Sequence, residues 1–116
     1  MANIPGNVEW VAELIPGLDG QLDQFIVATD EVDDELVEVF IEELRRLTSD
    51  LQQGLDEGSP EMVRLAAHSI KGMGGTIGLP EISVLGLTIE NAAKADRLQD
   101  ARVLTDALAV WLETLA

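Results

Sequence analysis

Apolar residues along this chain recur every three or four positions. Val32, Leu36, Phe40, Leu44, Leu47, Leu51 and Leu55 form one such stripe, the core face of an amphipathic helix running from about residue 30 or 33 to 55. Acids gather at its start (Asp30, Glu31, Asp33, Asp34, Glu35), where the helix dipole favours them, and Gly58 ends it. Ser59-Pro60-Glu61 then reads as an N-cap, a proline in the first turn and an acid, opening a second helix that stops at Gly78-Leu79-Pro80. A third helix spans about 80 to 95, with Ile82, Leu85, Ile89 and Ala92 or Ala93 inward. Asp96, with Gln99 three residues on, reads as the cap of a fourth. The apolar face of that helix is Ala101, Leu104, Leu108, Trp111, Leu112 and Leu115. No alternating β-branched run with a hairpin turn is present.

The expected fold is all-α: an antiparallel up-down four-helix bundle over residues 30–116 with a helical extension, residues 1–29, packed on it. In that extension Val8, Val11, Ala12 and Ile15 suit one short apolar face, and Leu18, Leu22, Phe25 and Ile26 another. At 116 residues the chain is long enough for one modest core.

Charge narrows the functions. With 22 acids against 7 bases the net charge is −15, which disfavours nucleic acid and anionic membrane surfaces. So acidic a chain is expected to be a soluble monomer. No cysteine is present, so disulfides and thiolate metal sites are excluded. No apolar run is long enough to span a membrane and the first residues do not form a secretion signal, so the expected location is the cytoplasm.

The segment AAHSIKGMGGTIG, residues 66–78, breaks the pattern: it holds the only histidine and four of the ten glycines. On a helical wheel Met62, Val63, Ala66, Ile70, Met73 and Ile77 lie about 120–220° from His68 and form the core face. Glu61, Arg64, Leu65, Lys71, Gly72 and Gly75 lie within about 60° of it. The ring therefore faces outward between two of the chain's seven cations. Gly72, Gly74 and Gly75 together cost the helix about 2–3 kcal/mol against alanine. Close helix packing explains Gly74; Gly72 and Gly75 point outward, where they leave clearance around the imidazole.

A lone exposed histidine has few chemical uses. A metal site lacks a second histidine or any cysteine, and no EF-hand loop is present. Ser69 lies about 100° round the helix from His68, so no triad forms. GMGGTIG lacks the Lys-Ser/Thr ending of a P-loop. A surface histidine without a role is the plain reading, and a carboxylate-only site for a hard cation stays open. What an exposed imidazole can do unaided is accept and donate a phosphoryl group, since an imidazole titrating near about 6.5 is largely neutral and nucleophilic at neutral pH. Lys71 can balance the incoming charge, and a partner must bring any metal and the rest of the site.

These residues resemble the signature of histidine-containing phosphotransfer (HPt) domains: alanine, His68, Lys71, Gly72, a small residue at Gly75, and Gly78. The wording is especially similar to the phosphotransfer domain of chemotaxis-type histidine kinases, and the likeness runs over about residues 33–115. It implies that Glu90 accepts the Nδ1 proton of His68, freeing Nε2 for phosphorylation; the competing reading of Glu90 is a solvated helix face. Chemotaxis-type domains often carry a second histidine three residues before this glutamate, where this chain has Leu87. By the same resemblance, Arg64 and Lys71 supply positive charge, Gly72 and Gly75 clearance, and Leu65 part of a docking surface. The partners implied are a response-regulator receiver domain, a histidine kinase catalytic domain, or both, with no cofactor in this domain. It would be a phosphoryl carrier rather than a self-contained enzyme. Two alternatives stand beside the free relay: a substrate module of a larger sensor kinase, and a bundle that binds a partner without phosphotransfer.

Overall fold

The computed structural model describes residues 11, 14, 15, 34–74 and 80–113. Within them lie four helices and no strand: α1 (Asp34–Asp56), α2 (Pro60–Gly74), α3 (Pro80–Lys94) and α4 (Leu98–Glu113). Each packs on the next, and α1 also packs on α4, so the four enclose one core.

Most of the expected stripes are buried. Phe40, Leu44, Leu47, Leu51 and Leu55 of α1 meet Val63, Ala66 and Ile70 of α2 in that core. Ile82, Leu85 and Ile89 of α3 and Ala101, Leu104, Leu108, Trp111 and Leu112 of α4 complete it. Leu36 departs from the expectation: it is 39% exposed, and Val37 is buried in its place. At 100° per residue Val37 falls inside the arc of the buried leucines, whereas Leu36 lies at its edge. Val11 and Ile15 are also buried in the same cluster. The remaining residues expected to line the two faces of the extension, and Val32, Ile77 and Leu115, lie outside the described residues.

The α1–α2 turn follows its sequence. Gly58 takes φ +65°, and its amide and that of Ser59 bond back to Leu55 and Gly54, a Schellman closure of α1. Ser59 then caps α2, its hydroxyl accepting from the Met62 amide at 3.3 Å. The helices pack closely here, because a Cβ at Gly54 would stand 2.9 Å from Met62 Cβ.

The turn before α4 differs from the expected capping box. Asp96 adopts φ +58°, and the amides of Asp96 and Arg97 bond to Ala93 and Ala92, so Asp96 closes α3. Arg97 occupies the cap position of α4, its carbonyl accepting the Ala101 amide. An aspartate tolerates the left-handed conformation better than most residues, and here that backbone demand outweighs its capping preference. At the far end of α4, Arg45 of α1 donates to the Leu112 carbonyl at 3.0 Å, satisfying one of the acceptors a helix end leaves open.

Candidate functional site

The site joins α2 and α3. His68 stands outward on α2 with its side chain 61% exposed, as the wheel predicts. Across from it Glu90, on α3, is nearly sealed, with a side-chain exposure of 3%. The reading of Glu90 as a solvated helix face therefore does not hold. What brings the two helices this close is Gly86, one turn before Glu90 on the same face of α3. A Cβ there would lie 2.8 Å from the Ala67 carbonyl oxygen and 2.5 Å from the Lys71 amide nitrogen.

Both oxygens of Glu90 are held. Oε2 lies 3.0 Å from Nδ1 of His68, and Oε1 accepts from Nζ of Lys71 at 3.0 Å. Lys94, one turn on from Glu90, brings Nζ to 3.8 Å from Oε2. Burial raises the proton affinity of the Glu90 carboxyl. Hydrogen bonds from Lys71 and His68, with the charges of Lys71 and Lys94, outweigh it and hold the group below its ordinary value. Glu90 is thus ionised at neutral pH, and an ionised carboxylate only accepts hydrogen bonds. The proton of a neutral His68 ring then belongs on Nδ1, facing Glu90. The lone pair sits on Nε2, and chemically that is an oriented, exposed nucleophile.

His68 and Lys71 of α2 thus meet on the two oxygens of Glu90. Arg64, one turn earlier on α2, faces Glu61 at 3.1 Å. Leu65 is 53% exposed and, with Arg46, Asp50, Met62 and Ser69, lines a groove of about 360 Å³ between α1 and α2. A second groove, about 440 Å³, opens beside it and is lined by Leu36, Val39, Glu43, Ser69, Gly72 and Met73. Gly72 opens onto space: a Cβ there meets nothing within 4 Å. Gly74 is buried, consistent with a packing role. Gly75 and Gly78 lie outside the described residues.

Two contributors escaped the sequence reading, Gly86 and Lys94. A lone glycine inside the α3 pattern was one signal, and the i,i+4 spacing of Glu90 and Lys94 the other. Among the described residues no cluster of three or more His, Asp or Glu is arranged to hold a metal ion. No described helix is long and apolar enough to cross a membrane.

Comparison with known proteins agrees with this geometry. The family model described as Hpt domain matches residues 35–116, a span that contains all four helices from the second residue of α1 onward. No curated protein and no solved structure gave a significant match. With most of its length matched and a histidine presented on a helical bundle, the chain belongs to the Hpt domain family, whose members serve histidine phosphotransfer in phosphorelays.

Proposed function

We propose that this protein relays a phosphoryl group through Nε2 of His68, receiving it from a receiver phospho-aspartate or a histidine kinase domain and delivering it to a receiver aspartate. The observation that carries the reading is the contact of His68 Nδ1 with the buried Glu90 at 3.0 Å. It holds the ring with its other nitrogen available.

In the transfer, the Nε2 lone pair attacks phosphorus and an N–P bond forms. The P–O bond to the donor breaks, and its electron pair leaves with the aspartate carboxylate when a receiver is the donor, or with ADP when the group comes from ATP on a kinase domain. The ring takes on positive charge, which the hydrogen bond to Glu90 stabilises. Lys71 fixes the other carboxylate oxygen, and Arg64 adds positive charge one turn away. Gly72 and Gly75 keep the approach clear. The domain needs no cofactor of its own in this reading; any magnesium belongs to the partner.

The receiver docks on the α1–α2 side, over the grooves next to His68. Leu36, Val39 and Leu65 are large, apolar and exposed there, at 39%, 61% and 53%. The bundle runs up-down and antiparallel in this reading, as a cytoplasmic monomer. Residues 1–29 form an extension packed on it; buried Val11 and Ile15 support this, as does fully buried Val84 on the side of α3 away from Ile82.

The test is incubation with a phosphorylated receiver or an active histidine kinase of the same genome. Acid-labile, alkali-stable label is expected on the wild type and none on a folded His68→Gln variant. Label that persists in the variant overturns the assignment.

A further inference from the structure

Three cations stand on the His68 side of the α2–α3 pair, and their charges are not equally available. Arg64 faces Glu61 at 3.1 Å. Lys71, 27% exposed, donates to Glu90 Oε1 at 3.0 Å. Lys94 is 55% exposed, and its Nζ lies 3.8 Å from Glu90 Oε2, beyond hydrogen-bond length. That oxygen is already in contact with His68. Glu90 therefore sets one negative charge against two ammonium groups. With His68 neutral, Glu90, Lys71 and Lys94 together carry a formal charge of +1, in a chain whose net charge is −15.

We propose that Lys94 supplies the uncompensated positive charge that a phosphoryl group on His68 meets. The inference rests on His68 being the acceptor. A phosphoryl group brings about two negative charges to the ring. Lys71 is 27% exposed and tied to Glu90 by one of its three N–H groups, so its charge is shared between that carboxylate and any phosphoryl oxygen within reach. Lys94 sits on a four-carbon stem and can swing toward the phosphoryl oxygens without breaking a hydrogen bond. Its attraction is strongest once the charge has arrived, so it favours the transition state and product over the free site.

The test uses phosphoramidate, a small donor that needs no partner protein. Nε2 attacks its phosphorus, the N–P bond to ammonia breaks, and ammonia leaves with the electron pair. Initial phosphorylation rates are compared for the wild type, Lys94→Gln and Lys94→Arg by phosphorus NMR and intact mass. The expected result is a loss of about three- to tenfold in Lys94→Gln, as befits one partly exposed charge. Lys94→Arg keeps the charge and stays within about twofold of wild type. The gap narrows as ionic strength rises from about 0.05 to 0.5 M, because an exposed charge is screened. A Lys94→Gln rate equal to wild type overturns the proposal, and so does Lys94→Arg as slow as Lys94→Gln. Wild-type chain that takes no label on His68 overturns the acceptor reading, and the Lys94 proposal with it. Labelled wild type with an unaffected Lys94→Gln removes the Lys94 proposal alone.

Discussion

Gly86 of α3 lies so close to Lys71 of α2 that a single added methyl would stand 2.5 Å from its backbone nitrogen and 3.0 Å from its Cα. The obstruction is backbone, which no rotamer change relieves. Gly86→Ala should therefore cost about 1–3 kcal/mol in urea unfolding, even though alanine is the better helix former. By prising α3 from α2 it should also lengthen the His68–Glu90 contact and slow phosphorylation.

Gly72 predicts the opposite balance. Space around it is open, so Gly72→Ala should stabilise the domain by about 0.5–1 kcal/mol through helix propensity. Transfer from a phosphorylated receiver should slow, because the methyl enters the groove next to His68. Thermal unfolding and transfer rate, measured on one preparation, should move in opposite senses.

Glu90 links the site to acid stability. Its carboxyl titrates below its ordinary value of 4.5 in the folded chain, because its bonds to Lys71 and His68 and the two lysine charges outweigh burial. The stability it contributes is thus fully present above the unfolded value and is lost as pH falls through the lower, folded one. Glu90→Gln should be about 1–3 kcal/mol less stable at pH 7. Denaturant curves of the two proteins should converge below pH 4.5, and curves that stay parallel into acid would show that Glu90 is not the linked group.

Val39 is 61% exposed, so Val39→Glu should leave the fold intact. It places a charge at the rim of the groove that also holds Gly72. If receivers dock there, their dissociation constant should rise about tenfold or more by calorimetry. Phosphoramidate labelling should change far less than receiver binding, and what change there is should vanish at about 0.5 M salt.

Thr105 is fully buried, and its hydroxyl has no hydrogen-bond partner among the described residues. Thr105→Val keeps the shape and removes the unpaired group. It should raise stability by about 1 kcal/mol in chemical denaturation without altering phosphorylation.

The helices were legible because their signals are local. The leucines of α1, the Ser59-Pro60 start of α2 and the histidine opposite its core face follow from spacing alone. Asp96 shows where local reasoning stops: a cap and a helix terminus ask for the same residue type, and only the backbone angle distinguishes them. Resemblance alone points to Glu90 in the sequence, because its burial depends on how near α3 lies to α2. That distance is set by Gly86, whose missing side chain carries no hydrophobic signal. Lys94 is silent in the sequence for a related reason, since its significance depends on a carboxylate that two other groups already share.

The His68–Glu90 contact spans 22 residues of chain and two helices. A peptide reproducing α2 would contain His68, Lys71 and Gly72, yet it would lack the carboxylate that orients the ring. The short motif is therefore not portable. The orientation of the ring is assembled only when the bundle closes, so a chain still emerging from the ribosome, or one partly unfolded, carries the motif without the carboxylate that faces it. On the proposed function, transfer from a protein donor to His68 would then report that the domain has folded.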